Sequence, residues 1–306
     1  MRLIGELSSS EIASRLQSDG LGFHVGPYTY NLSSNLPLLA YGIERLYPDF
    51  RLSRPNQFYD FRVALTYSNV LSRLRGKADF LFDHLRPFGT IPDHQAYAFM
   101  EWGMNWCVSE HVHEYLKLHA GVVAKNGTAI VMPGVPGAGK STLCAALALT
   151  GWRVLSDEHA LIPPGTVDVV PLCRPVSLKN ESIQIVKSFD SSAIIGPISD
   201  DTHKGTVAHM KADLTPDSHD PTPLPARIML FPRFSNEDTQ RLSPRRRTKS
   251  FILAAYHSFN YSLMGEPGFQ AMKTLIDNVE CYDLVYRDLD WALRALDELH
   301  HRAGTP

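Results

Sequence analysis

No two cysteines of this 306-residue chain stand close together in sequence. Cys107, Cys144, Cys173 and Cys281 form no C-x-x-C pair, so neither a zinc ribbon nor a disulfide framework is encoded. They read as reduced, structural thiols, which places the expected compartment in the cytoplasm. Long apolar runs are lacking as well. None approaches the roughly 20 residues of a membrane span, and Met1-Arg2-Leu3-Ile4-Gly5-Glu6 does not read as the start of a signal peptide. Neither sign of charge is in excess: 30 basic against 32 acidic residues leave a formal net charge of −2, so no nucleic-acid or membrane partner is expected. Repeats and low-complexity tracts are missing too. The histidines are scattered, and the close pair His111 and His113 is two apart, on different faces of a helix, so no transition-metal site is expected. What remains is an ordinary globular composition, 44% hydrophobic and 20% charged, with length for one large domain or two modest ones.

Against that plain background one stretch carries chemistry. Ala129 to Met132 is an apolar run, followed after Pro133 by G-V-P-G-A-G-K-S-T and an Ala/Leu-rich segment that stops at Gly151. Gly134, Gly139, Lys140 and Ser141 fill the P-loop (Walker A) pattern G-x-x-x-x-G-K-[ST] in its required setting, after a strand and opening a helix. Glycines let backbone N–H groups converge on phosphate oxygens, Lys140 adds a cation at the β/γ end, and Ser141 offers a hydroxyl to Mg²⁺. The candidate nucleotide ligands are therefore Gly134, Pro136, Gly137, Ala138, Gly139, Lys140, Ser141 and Thr142. Trp152 to Leu155 reads as the next strand and ends in Ser156-Asp157-Glu158. A carboxylate at the C-terminal end of a strand faces the crevice where open α/β sheets bind ligands. Asp157 lies only 17 positions beyond Lys140, a spacing that suits a kinase, in which such a carboxylate contacts the metal or the accepting hydroxyl. The alternative is a solvated strand cap.

Upstream, Tyr115 to Ala124 reads as a strand and Lys125-Asn126-Gly127 as a tight turn. The P-loop strand is thereby expected to pair antiparallel with its predecessor, on which His119 sits. Further towards the start, Ser8 opens a capping box for a short helix that ends at Asp19-Gly20, and Leu21–Val25 and Tyr28–Leu32 alternate as a hairpin. Phe58–Tyr67 and Asp79–Phe82 read as strands. Asp93 to about His113 reads as a helix whose Phe99, Trp102 and Trp106 form a stripe, either core or the wall of an adenine pocket. Beyond the P-loop, strands are expected at Val167–Pro171, Arg227–Phe231 and Cys281–Tyr286. One long helix is expected over about Lys249–Met264, closed by Gly265, followed by helices from Phe269 and from Asp288 to about His301. Arg174, Lys179 and Glu181 follow a strand and are either phosphate and metal ligands or a solvated loop. Asp200–Thr206 is either a mobile surface loop or a lid carrying Lys204. Arg245-Arg246-Arg247 is either a solvated face or a grip for an acidic partner.

H-A-G at His119, the hairpin, G-x-P-G-x-G-K-S-T and G-W-R-V-L-S-D-E together resemble the kinase domain of HPr kinase/phosphorylase, and more closely the HPr-kinase-related kinase A group. For that group the likeness extends to E-W-G-M-N-W-C, R-P-V-S-L-K-N-E-S-I, K-G-T-V-A-H, F-P-R, S-F-N-Y-S-L-M-G and C-Y-D-L-V-Y. It implies a mixed α/β fold: a small α+β region over residues 1–114, then a mixed-sheet P-loop kinase domain over 115–306. It implies ATP and Mg²⁺ as cofactors and a hydroxyl as acceptor, Ser or Thr on a peptide or small protein presented by a PqqD-like chaperone. The implied catalytic set is Asp157, Glu158, His119 and Lys140. The implied metal set is Ser141, Asp157, Glu158 and Glu181, and Arg174, Lys179 and Lys204 join the phosphate ligands. The E-x-R-G-x-G-I signature of true HPr kinase is absent and its D-D pair is D-E here, so phosphorolysis is not implied. A small-molecule kinase and a non-catalytic ATP-binding regulator remain open alternatives.

Overall fold

The computed structural model describes residues 2–54, 57–135, 137–237 and 239–303. They form two compact units: residues 1–110 with 177–211, and 111–176 with 212–306. The boundary expected at 114 lies four residues earlier, and residues 177–211, expected inside the P-loop domain, belong to the first unit instead.

In the first unit α1 (Ser9–Gln17) starts at the expected capping box: Ser8 Oγ accepts from the Glu11 amide, and the Glu11 carboxylate accepts from the Ser8 amide at 2.8 Å. Strands β1 (Leu21–Val25) and β2 (Tyr28–Ser34) make the hairpin, and α2 (Pro37–Leu46) leads to β3 (Phe61–Thr66). A short α3 (Val70–Leu74), β4 (Lys77–Phe82), β5 (Ile91–Pro92) and α4 (Ala96–His111) complete the segment. The five strands lie in sequence order in one mixed sheet, with β2 and β3 parallel. The aromatic stripe of α4 is half-buried in an aromatic cluster, while the fully buried face of the helix carries Tyr97, Met100, Met104 and Cys107. Phe99, Trp102 and Trp106 surround Phe88 at centroid distances of 5.7, 4.8 and 5.1 Å. The buried Glu101 carboxylate accepts from both Tyr47 and Tyr97 hydroxyls at 2.8 Å, which satisfies a charge that apolar packing alone would leave costly.

The second unit is built around a long hairpin, β6 (Leu116–Lys125) and β7 (Thr128–Pro133). Asn126 and Gly127 both have positive φ (48° and 77°), the geometry that an Asn-Gly two-residue turn supplies. Helix α5 (Lys140–Leu149) follows, stopped at Gly151 (φ 87°). Next come β8 (Arg153–Ser156), β9 (His159–Ile162) and β10 (Asp168–Val169).

The chain then builds the last part of the first unit with β11 (Val176–Lys179), α6 (Glu181–Phe189), β12 (Ser199–Thr202) and β13 (Gly205–Met210), a three-stranded sheet ordered β11-β13-β12. It returns to the second unit with β14 (Leu224–Phe234), β15 (Arg241–Pro244), α7 (Arg247–Tyr256), α8 (Tyr261–Met264), α9 (Glu266–Asn278), β16 (Glu280–Tyr286) and α10 (Leu289–Ala303). The main sheet is ordered β15-β16-β14-β7-β6-β8, parallel across β16, β14 and β7 and antiparallel at β6. Its core is the inner face of β6, β7 and β14 packed against α9.

The single helix expected over Lys249–Met264 is two helices. Side-chain hydrogen bonds to neighbouring backbone break it. Ser258 Oγ donates to the Lys117 carbonyl (2.8 Å), Asn260 Nδ2 donates to the Tyr115 carbonyl (2.8 Å), and Asn260 Oδ1 accepts from the Lys117 amide (2.9 Å).

Candidate active site

The loop between β7 and α5 is shaped by its glycines. Gly137 and Gly139 hold φ of 86° and 89°, and Gly139 is the N-cap residue of α5. Only glycine takes such angles without strain. Gly139 is further enclosed: a Cβ there would overlap the Tyr286 hydroxyl oxygen, whose O–H donates to the Gly139 carbonyl at 3.1 Å. Burial pushes the Tyr286 phenol well above its ordinary range, so it stays a donor. The Phe234 amide, at the end of β14, donates to the Ala138 carbonyl (3.2 Å). The ends of β14 and β16 therefore clamp the loop from beneath. Lys140 is buried, and its ammonium donates to the carbonyls of Gly134 (2.5 Å) and Val135 (3.0 Å). Ser141 and Thr142 follow in the first turn of α5, whose backbone N–H groups and dipole favour an anion. Pro136, also expected here, lies outside the described residues.

Strands β7 and β8 are each antiparallel to β6, so they point the same way and end at one edge of the sheet. β6 lies between them, and His119-Ala120-Gly121 is its part at that edge: Ala120 pairs with Pro133 on one side, while His119 pairs with His159 on the other. Two strand spacings, about 10 Å, thus separate the P-loop from the carboxylates, room for the end of a triphosphate. Gly121 lets α5 approach, since a Cβ there would meet Cys144 Sγ at 2.6 Å.

Asp157 and Glu158 follow the end of β8 at Ser156, where they were expected. They form a bend, and β9 then pairs with the same strand in unbroken register, the irregularity of β8 against β6 lying earlier, at Leu155. Ser156 Oγ accepts from the amides of Glu158 (3.3 Å) and His159 (3.0 Å), and the Ala120 amide donates to the Glu158 carbonyl (3.1 Å). Asp157 is buried, and its negative charge reaches the Cys144 thiol in α5, which burial and that charge hold far above the thiol range. Lys140 acts on the same thiol with opposite sign, so the carboxylate, the lysine and α5 share one neighbourhood. Glu158 pairs with His119 (Oε1–Nε2 3.3 Å).

Beyond Pro133, where β7 ends, residues 257–259 take its place beside β6. The His119 amide donates to the His257 carbonyl (2.7 Å), and the Phe259 amide donates to the Lys117 carbonyl (2.9 Å). This brings in three side chains that sequence reasoning did not single out. Phe259 stacks on His159 (4.8 Å between centroids, 28°) and tilts against His119 (5.7 Å). Burial pushes His159 down to about 3, so it is neutral. His257 is lowered from 6.5 by burial and then by the charges of Lys140 and His119. The only sequence signal was the S-F-N-Y-S-L-M-G stretch, which carried a resemblance but no role.

Of the other expected ligands, Arg174 is buried in the second unit, where its charge acts on His159. Whereas the P-loop belongs to the second unit, Lys179, Glu181 and Lys204 belong to the first. There they form a group of their own. Asn180 (φ 51°) accepts from the Thr206 amide at 3.1 Å, and its own amide donates to the Thr206 carbonyl at 2.8 Å, which ties Lys179-Asn180-Glu181 to the Lys204-Gly205-Thr206 turn. Glu181 is the exposed first residue of α6.

A divalent cation fits the donors of the second unit. The Ser141 hydroxyl and the Asp157 carboxylate are hard oxygens at one sheet edge. Mg²⁺ is commonly held by one or two carboxylates with phosphates and waters completing the shell, rather than by a protein cage. No group of three or more His, Cys, Asp or Glu able to hold a metal occurs among the described residues. None of the described helices is long and apolar enough to cross a membrane.

No protein-family model matches this chain, and no curated protein sequence matches it. Among solved structures the chain matches the Hpr(Ser) kinase/phosphatase from Coxiella burnetii, with 11% sequence identity and a TM-score of 0.28 over 60% of this chain and 95% of that one.

Proposed function

We propose that this protein is a Mg²⁺-dependent phosphotransferase that moves the terminal phosphoryl group of ATP to a hydroxyl, that of Ser or Thr on a peptide or small protein. One observation carries the reading: a glycine-shaped, lysine-bearing loop at the end of β7 shares its sheet edge with a buried carboxylate, Asp157, at the end of β8. The loop amides and Lys140 hold the β- and γ-phosphates, and Ser141 and Asp157 supply oxygen ligands on the metal side. The cation, when bound, neutralises charge on the phosphates. Asp157 orients the acceptor hydroxyl and takes its proton as the oxygen attacks phosphorus; the bond to the bridging oxygen of ADP breaks and ADP leaves. His119, paired with Glu158, holds this second carboxylate beside Asp157 in place. A PqqD-like chaperone as presenter of the acceptor is part of the same proposal.

The test is incubation of the full chain with γ-labelled ATP, Mg²⁺ and a soluble cell extract, followed by identification of the labelled species. Phosphoserine or phosphothreonine on a polypeptide is the expected result. Label on a small molecule would replace the acceptor class, and no label anywhere would leave an ATP-binding regulator.

A further inference from the structure

Helices α7 and α8 expose apolar side chains that a solvated helix pair does not need. Ile252, Tyr256 and Leu263 are 70%, 78% and 86% exposed, and Phe259, whose ring covers His119 and His159, is 40% exposed. Ile252 and Tyr256 lie four apart on one helix face, with Lys249 one turn earlier. The same helix begins against its own dipole. Arg246 is its N-cap and makes no side-chain cap bond, Arg247 and Lys249 stand in the first turn, and no acidic residue is there. Cations at that end are unfavourable and acids favourable. Arg245 is committed to Asp283 (2.7 Å), whereas Arg246, Arg247 and Lys249 are exposed. Asp277, whose carboxyl feels the charge of Arg247, is bound by Lys273 (2.6 Å). A track therefore runs from a cationic end, along about 15 Å of apolar helix, to Phe259, whose ring meets the His119 that pairs with Glu158.

We propose that this track is the docking surface for the phosphoryl acceptor, and that its occupant is an amphipathic polypeptide segment. Its apolar side chains lie on Ile252, Tyr256 and Leu263, and its acidic residues meet Arg246, Arg247 and Lys249. Its acceptor hydroxyl lies past Phe259, about ten residues from the acidic cluster when the segment is helical. The inference rests on the phosphotransferase reading for the acceptor's role, but the docking itself is separately measurable.

The probe is a fluorescent 15-residue amphipathic peptide with apolar positions at i, i+3, i+4 and i+7, three glutamates at one end and a serine at the other. A matched peptide carries lysines in place of the glutamates. Fluorescence anisotropy with the full chain is expected to show the acidic peptide binding at least about tenfold tighter, with the preference shrinking as salt rises. The double variant Tyr256→Ser/Leu263→Ser should weaken it about tenfold or more. Arg246→Glu/Arg247→Glu should invert the preference between the peptides. These positions are exposed, and unchanged Mg·ATP affinity reports that each variant is folded. Equal binding of both peptides, or variants that bind as the parent does, would overturn the proposal. So would self-association abolished by Tyr256→Ser/Leu263→Ser with neither peptide bound, which would assign the face to a second copy of the chain. Docking without phosphorylation of the serine would count against the phosphotransferase reading and leave the surface standing; phosphorylation indifferent to these substitutions would do the reverse.

Discussion

Gly139→Ala tests the construction of the P-loop quantitatively. The residue has φ 89°, where an L-residue costs about 1–2 kcal/mol. Its new methyl would overlap the Tyr286 hydroxyl, with Tyr286 Cζ at 3.2 Å and Phe234 Cβ at 3.4 Å behind it. Overpacking of this kind costs about 1–3 kcal/mol. Displacing the phenol also forfeits its bond to the Gly139 carbonyl, about 1 kcal/mol. The sum is about 3–6 kcal/mol, enough to unfold much of a marginal domain. Tyr286→Phe alone should cost only about 1 kcal/mol, because it leaves the ring in place. In the Tyr286→Phe background the overlap with oxygen vanishes, and Gly139→Ala should cost only the backbone strain and a small shift of the ring, about 1–3 kcal/mol. Urea unfolding of the four proteins gives the coupling directly. Additive effects, or a Gly139→Ala variant as stable as its parent, would refute the clamp between the end of β16 and the loop.

Lys140→Ala should weaken Mg·ATP binding strongly, since it removes the cation built into the loop, and unchanged affinity by calorimetry would contradict the assignment. Acid sensitivity follows from His159. The unfolded imidazole takes a proton below its ordinary 6.5, the folded one only below about 3, so its contribution is complete above pH 6.5 and is lost as pH falls through that window. The slope is at most about 1.4 kcal/mol per pH unit; urea midpoints between pH 7.5 and 5.5 should fall less in His159→Phe than in the parent, and parallel profiles would contradict it. Phosphoryl transfer should require Mg²⁺ or Mn²⁺, as hard oxygen donors dictate. Zinc that survives chelation, and whose removal abolishes transfer, would contradict the donor set.

Local rules made the hairpin and the P-loop legible, because Asn-Gly turns, glycines at positive φ and the Lys-Ser helix start are written in adjacent residues. The same holds for the capping box at Ser8. Three features escaped because their causes lie far away in sequence. The break after Tyr256 is made by Ser258 and Asn260 reaching the backbone of β6, more than 140 positions earlier, which helical periodicity does not register. The continuation of the chain past Asp157 into β9 depends on β8 and β9 sharing β6, so a reading of the strand over Trp152–Leu155 alone did not reach it. The passage of Ser177–Lys211 into the first unit rests on tertiary pairing such as the Arg45 Nε–Ile195 carbonyl bond (2.6 Å). Asp157 was identified by type and spacing, and Glu158 and His119 through the family resemblance; the neutral His159, His257 and the Phe259 ring against His119 and His159 needed the fold.

The most direct test of the central claim is phosphoryl transfer by Asp157→Asn. The amide keeps the shape and most hydrogen bonds of the carboxylate but cannot take a proton. General-base catalysis is worth about 10²–10⁴-fold, so transfer to the acceptor identified with labelled ATP should fall by at least about a hundredfold. Mg·ATP affinity should change far less, because the loop amides, Lys140 and Ser141 remain. A folded Asp157→Asn protein that transfers phosphate at the parental rate would contradict the account.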